Sequence, residues 1–501
     1  MSTHQDVFSA HRTPEILHLT CPTSAEAHPI ASMLEVNAIH DPFTACLPTE
    51  IASRILTFCA DDEQEIGRRI PLALSAVSRK WRDIAQSTPA LWTSIRLEFN
   101  SAPIQSSYEE TLRHWLLLSS QRPLSIHFSI DEDFDRENPL EIQAYRAIID
   151  ILNVHSYRWE KLFLQIPLHL LNLFCSQIRG TPALRWLSIN SHPSIDSHPD
   201  DVDDAQIAKF NLGGPLPTPR TVSIYACRLR RIRIDWTKVT HVQMFVAYIS
   251  ECLTLFATAP RLRECKLINV RHDDSAYPST PIVHHHLLKL EIAMAWLNST
   301  TPLFDHLCFP SLESLRYSCD SQPLDPLHSF LIRSSAPLKF LRINEDDFFH
   351  YGNKLTDLLW TIPSLEEFEL YGARRYEKFW ELLATYSEGS LTEQFLPMLT
   401  SLSLDSISND DGEYNILEIC EALKVRASRD RANRELGVLK RLNWDVNILD
   451  HHHEYYLEEE TLQFFERLIA DGLDFKITNL QFDGLAMLST YFVFTLDSYL
   501  W

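Results

Sequence analysis

The sequence predicts an α/β protein in which a small helical module precedes a long array of repeated helix–strand units. Three observations carry that expectation. A six-residue pattern, apolar-x-x-apolar-x-apolar, returns from Trp159 to the region of Ile477. The segments between copies place apolar residues at helical spacing, and many close on a proline. Upstream, residues 43–92 hold two amphipathic stretches of helical period.

The copies of the pattern begin at Trp159, Leu184, Pro219, Val239, Leu262, Leu287, Leu312, Leu338, Leu365, Leu399, Leu439 and Ile477. From Val239 to Leu365, successive starts lie 23 to 27 residues apart. Between them, Leu324, Leu327, Phe330 and Leu331 share one helical face, as do Leu355, Leu358, Leu359 and Ile362. Pro260, Pro310, Pro337, Pro363 and Pro397 stand just before strands, where proline bars further helix and leaves the chain extended. The unit reads as helix, proline, strand. This spacing resembles that of leucine-rich repeats, which run 20–29 residues. The resemblance implies a horseshoe-shaped solenoid with parallel strands on its concave face and helices on its convex face.

In that geometry, pattern positions 1, 4 and 6 point inward and positions 3, 5 and 7 face the concave surface, because strand side chains alternate. The exposed set then includes Trp186, Ser188 and Asn190, and later Glu264, Lys266 and Ile268. Aromatic residues beside arginine make interface anchors. Trp186, Arg316, Phe340, Arg342, Glu367, Glu369 and Tyr371 are therefore the candidate residues for holding a protein target, centred on the regular repeats from Leu262 to Leu365.

In the upstream module, Leu47, Ile51, Ile55 and Phe58 fall at helical spacing, with Pro48 at a first turn. A second helix is expected from Pro71 to Gln86, with Leu74, Val77, Trp81 and Ile84 on one face. An acidic loop, Asp61 to Glu65, lies between them. The order Leu47-Pro48-x-Glu50-Ile51, then Val77-Ser78-x-x-Trp81, then Pro89-x-Leu91-Trp92 resembles the F-box, in a form similar to that of fungal F-box proteins. The resemblance implies docking on a Skp-family adaptor and, through it, on a cullin-RING ligase. The residues expected to carry that contact are Leu47, Pro48, Ile51, Ile55, Leu74, Val77, Trp81, Leu91 and Trp92.

Composition narrows the remaining options. The formal net charge of -22 opposes a nucleic-acid groove or an anionic membrane surface, both of which need clustered Lys and Arg. With 11 Gly in 501 residues, no phosphate-cradling glycine motif occurs. The 10 Cys are scattered without a CxxC pair, which reads as reduced and largely buried thiols in a cytoplasmic or nuclear protein. The runs His284–His286 and His451–His453 read as loop histidines, since adjacent strand side chains diverge and cannot converge on one ion. The acidic clusters near Asp200, Glu345 and Glu458 lack calcium-loop grammar. The apolar stretch Leu485–Trp501 reads as a final core strand and cap. No catalytic motif, metal or cofactor is expected.

The sequence thus divides into a tail (1–42), an F-box domain (43–92), a bridging segment or N-terminal cap (93–155) and a leucine-rich-repeat solenoid (156–501). The expected function is that of a non-enzymatic substrate-recognition adaptor in an SCF-type (Skp–cullin–F-box) ubiquitin ligase. The alternative is an interaction scaffold that carries an F-box outside ubiquitination.

Overall fold

The computed structural model describes residues 47–60, 70–99, 107–130, 139–174, 184–191, 209–213, 215–273, 275–294, 301–318, 323–344, 352–371, 377–384, 394–407, 422–423, 425–426, 439–447, 459–470 and 472–478. The N-terminal tail, the acidic loop at Asp61–Glu65, the acidic clusters near Asp200 and Glu345, His451–His453 and the apolar stretch Leu485–Trp501 lie outside these residues. The chain forms two compact units. One comprises residues up to Thr93 together with His114–Arg122; the other comprises Ser94–Arg113 and everything from Pro123 onward.

The first unit is helical. Helix α1 (Thr49–Ala60) begins on the Pro48 carbonyl, which accepts from the Ile51 and Ala52 N–H groups at 3.0 Å each. Helices α2 (Ile70–Val77) and α3 (Arg79–Gln86) replace the single helix expected from Pro71 to Gln86. The break is at Ser78, whose backbone is extended at φ -156 and ψ 172 and whose side chain accepts from the Trp81 N–H at 3.2 Å. Serine favours this capping conformation because its hydroxyl satisfies a donor that the new helix leaves free. The break also takes Val77 off the line it was expected to share: Leu74, Trp81 and Ile84 pack on the core, while Val77 is 57% exposed. That core is Leu56, Ala85, Leu91 and Trp92, with Trp115 and Leu118 packed against it. The last two come from the end of helix α4 (Ser107–Leu118), beyond the expected limit of the module.

The second unit is a mixed helix–strand fold around a parallel sheet. The first strands are β1 (Ser94–Phe99), β2 (Leu124–Ile130), β3 (Trp159–Gln165), β4 (Trp186–Asn190), β5 (Thr221–Tyr225), β6 (His241–Phe245) and β7 (Glu264–Val270). They are followed by the short β8 (Ile282–Val283), then β9 (Lys289–Met294), the short β10 (Leu307–Cys308) and β11 (Ser314–Ser318). The series ends with β12 (Phe340–Asn344), β13 (Glu367–Tyr371), β14 (Ser401–Ile407), β15 (Arg441–Asn447) and β16 (Asp474–Thr478). Among the described residues, and apart from β8 and β10, which pair with each other, the strands form one 14-stranded parallel sheet in chain order, with β1 and β16 at its two ends and no closure into a barrel.

Two departures from the sequence pattern follow. Strands β1 and β2 add to the same sheet from within the segment expected as a bridge. Counted from Trp92 and Pro123, the segments WTSIRL and PLSIHF have the same six-residue spacing as the copies at Trp159 and Pro219, so the array begins two copies earlier than expected. The final copy does not begin at Ile477. Asp474 pairs with Arg441 and Phe475 with Leu442, so the copy begins at Gly472, five residues earlier than expected. Glycine at the first position hid it, because that position carries a large apolar side chain in most other copies.

Alternation decides the rest. Leu187, Val222, Val242, Cys265, Leu290, Leu315, Leu341, Phe368 and Leu402 form one buried row across successive strands, and each is at most 3% exposed. Strands β5, β6 and β7 each run into a residue of positive φ: Ala226 at 49°, Val246 at 59° and Asn269 at 55°. Their ladder continues through this kink, since the Val246 N–H donates to the Ile268 carbonyl at 2.9 Å. The helices that connect strands bury the faces read from the sequence, with Leu327 and Phe330 of the helix Asp325–Ser334 fully buried. Phe330 stacks on Phe304 at 5.0 Å between ring centroids, and Phe304 meets Tyr317 of β11 at 5.6 Å. His284 departs from the loop reading. It is buried between Phe256 and Phe309, with Nε2 2.9 Å from the Ala259 carbonyl.

Candidate functional site

In the helical unit, helix α1 sorts its side chains by face. Ala52 and Leu56, four residues apart, enter the core. Ile51, Ile55 and Phe58, which fall at i, i+4 and i+7, share another face of the helix. They are 42%, 38% and 82% exposed. The stripe that the sequence marks as apolar is therefore the face turned to solvent, and Ala52 and Leu56 are the α1 residues buried in the core. On helix α2, Leu72 and Val77 are exposed as well. Leu47 is half-buried and Pro48 exposed. Apolar side chains exposed at this density are the character of an interaction surface.

The remaining residues expected at the adaptor contact act differently. Leu91 and Trp92 are buried, and Trp81 and Leu74 are partly so against the same core. Trp92 donates from its indole N–H to the Ala85 carbonyl at 2.8 Å, and its ring meets Trp115 edge-on at 4.9 Å. The Thr88 hydroxyl donates to the Ile84 carbonyl at 2.7 Å and lies 2.8 Å from the Ser53 hydroxyl, which ties the 3-10 turn Pro89–Trp92 to α1. Burial leaves Leu91 and Trp92 to hold the helices in place and gives the exposed stripe its rigidity.

On the sheet, register places the outward side chains in straight rows. Arg316, Arg342 and Glu369 are partners across β11, β12 and β13, and so are Phe340 and Glu367. Arg342 forms an ion pair with Glu369, donates to the Tyr371 hydroxyl at 3.1 Å and lies over the Tyr371 ring at 4.7 Å. Arg316 lies over the Phe340 ring at 5.3 Å and pairs with no carboxylate among the described residues. Six of the seven residues expected to hold a target are thus brought together. Three of them, Arg342, Glu369 and Tyr371, already satisfy one another. Trp186, on β4, stands five strands from Arg316, about 24 Å at the usual strand spacing.

Trp186 has aromatic company that sequence reasoning passed over. Its ring lies 5.8 Å from that of Phe163 on β3, and Phe163 lies 6.1 Å from His127 on β2. The Lys161 ammonium is 5.9 Å from the Trp186 ring centre. On the next two strands, β5 and β6, Tyr225 and Phe245 lie 5.9 Å apart. The alternation that exposed Trp186 also exposes Phe163, Tyr225 and Phe245, so applying it to every copy finds them.

Other reactive groups are structural. Burial pushes the Cys227 thiol up to about 12 and raises Cys252 and Cys265 as well, which keeps these thiols protonated and inert. Cys59, read as lying within an apolar run, is exposed. Burial also lowers the His284 pKa below its ordinary 6.5, so the ring serves as a neutral partner of the Ala259 carbonyl. Among the described residues, no group of three or more His, Cys, Asp or Glu could hold a metal ion. No described helix is long and apolar enough to cross a membrane.

The comparison with curated proteins found no match. Residues 44–98 match the family model described as F-box-like, which spans the three helices, the Pro89–Trp92 turn and the start of β1. The chain carries an F-box-like domain, and domains of that kind generally bind Skp-type adaptors of cullin-RING ligases.

Proposed function

We propose that this protein is the substrate-recognition adaptor of an SCF-type ubiquitin ligase, working in the cytoplasm or nucleus. The F-box-like domain binds a Skp-family adaptor, and the parallel sheet is the concave face of a leucine-rich-repeat solenoid that holds a protein target. The protein performs no chemistry. It raises the effective concentration of a target lysine near a charged ubiquitin-conjugating enzyme, which is a proximity effect. The observation that carries the reading is the exposed stripe Ile51, Ile55 and Phe58 on a domain matched as F-box-like. Support for the solenoid comes from parallel strands that neighbour one another in chain order, apart from the short pair β8 and β10.

The test is affinity purification of the full chain with and without proteasome inhibition. Recovery of a Skp-type adaptor and a cullin, with further proteins that accumulate only under inhibition, is the expected result. Recovery of the adaptor without a cullin would contradict the ligase role.

A further inference from the structure

The outward face of the sheet has two halves of different chemistry. From β3 to β6, three outward positions on each of four strands hold the aromatic residues Phe163, Trp186, Tyr225 and Phe245. The only formal charge among those positions is Lys161, and there is no carboxylate. From β7 to β13 the outward positions are rich in charge of both signs, tied in the pairs Lys266–Glu291 at 2.8 Å, Lys289–Glu264 at 2.9 Å and Arg342–Glu369.

The aromatic half also has a basic lip. Arg185, Arg220 and Arg263 are exposed one residue before β4, β5 and β7. Backbone hydrogen bonds set them in one row: Arg220 N–H donates to the Arg185 carbonyl at 2.9 Å, Thr240 N–H to the Arg220 carbonyl at 2.9 Å, and Arg263 N–H to the Thr240 carbonyl at 2.8 Å. Arg185 reaches Glu160 at 3.3 Å but is 73% exposed, so water weakens that pair. Arg220 and Arg263 pair with no carboxylate among the described residues. In a chain of net charge -22, a carboxylate-free floor edged by three guanidinium groups is a local reversal of the average.

We propose that the target docks on this aromatic half, from β3 to β6, through an extended segment that places acidic side chains beside aromatic or long aliphatic ones. This rests on the reading that the sheet face holds the target, and names where on it and what chemistry. Guanidinium groups bind carboxylates with charge-assisted, often bidentate hydrogen bonds. Exposed Trp and Tyr supply large apolar contact at little conformational cost and concentrate binding energy. A basic segment meets Lys161 and the three arginines there, while the nearby carboxylates already have cationic neighbours, Glu160 beside Arg185 and Glu264 beside Lys289, so it is disfavoured. The lip from Arg185 to Arg263 covers three strand spacings, about 14 Å, which is the reach of about four extended residues. The ionic half, by contrast, has already paired most of its charge with itself.

The test selects binders from a random dodecapeptide library on the full chain, then measures them by fluorescence anisotropy against three double variants. These are Arg220→Glu with Arg263→Glu on the lip, Trp186→Ala with Tyr225→Ala on the floor, and Arg316→Glu with Glu367→Lys in the ionic half. Melting temperatures check folding, and the lip variant alters only exposed side chains. The expected peptides carry Asp or Glu next to Trp, Phe or Leu. The lip and floor variants should weaken them by about tenfold or more, and the ionic variant by less than about twofold. Peptides that are basic, or proline-rich without acids, overturn the proposal. Peptides sensitive only to the ionic variant overturn it while leaving the face as the target site. Recovery of no peptide, or of peptides insensitive to all three variants, overturns both readings.

Discussion

Helix α1 and the charged rows of β11 to β13 both carry residues that the sequence marks for binding, yet they treat those residues in opposite ways. On α1 the apolar stripe stays exposed, with Ile51 at 42%, Ile55 at 38% and Phe58 at 82%. On the strands, Arg342 has a carboxylate, a phenol hydroxyl and an aromatic ring as partners from its own sheet. An exposed apolar side chain cannot satisfy itself, so it signals a missing partner. A charged side chain can recruit the next strand, so charge at an exposed position signals less.

The largest effect that sharpens this contrast comes from beneath the stripe. Trp92→Ala removes a buried ring and leaves the Ala85 carbonyl without its indole donor. It should cost about 3–5 kcal/mol of the helical unit's stability, read by urea unfolding. Phe58→Asp on the surface of the same unit should change stability by no more than about 0.5 kcal/mol. If both cost the same, the assignment of inner and outer faces on α1 is wrong.

Acid should act on the sheet unit. His284 is buried in its neutral form, and burial holds its folded pKa below the ordinary 6.5. Stability is therefore complete above the unfolded value and is lost as pH falls through the folded one, because the unfolded chain takes up the proton first. Unfolding midpoints measured from pH 7.5 to 5.5 should decline, and His284→Gln should flatten that decline. An unchanged slope in the variant would assign it to other groups.

A double-mutant cycle on Arg342→Ala and Glu369→Ala tests the self-satisfied rows directly. The side chains are 34% and 21% exposed, so a coupling of about 0.5–1 kcal/mol is expected. Zero coupling would return Arg342 to the pool of free anchors. The smallest expected effect is at Val246, a β-branched residue at φ 59°. Val246→Gly relieves a conformation that costs about 1–2 kcal/mol in an L-residue but also removes a half-buried side chain. A net gain of about 0.5 kcal/mol in thermal unfolding is the outcome consistent with strain there.

Much of this was legible in the sequence, and the failures share a cause. The rows Leu187, Leu315 and Leu341 follow from alternation alone, because a strand has only two faces. The helical module misled because a helix has a whole circumference: Ile51 and Ile55 formed a clear stripe, while the packing stripe of Ala52 and Leu56 was too small to notice. The break at Ser78 hides in a sequence whose apolar spacing continues past it. Gly472 hid the last copy by lacking a side chain. Cross-strand pairs such as Arg342–Glu369 depend on register between segments 27 residues apart, which spacing within one copy does not specify.

The central claim is that the exposed stripe of α1 docks a Skp-type adaptor. Isothermal titration of the full chain with a purified Skp-type adaptor tests it most directly, comparing the native sequence with Ile51→Asp combined with Ile55→Asp. The account predicts a one-to-one complex for the native chain and, at unchanged melting temperature, a loss of at least about tenfold in affinity for the variant. Undiminished binding by the folded variant, or no binding by the native chain, would contradict it.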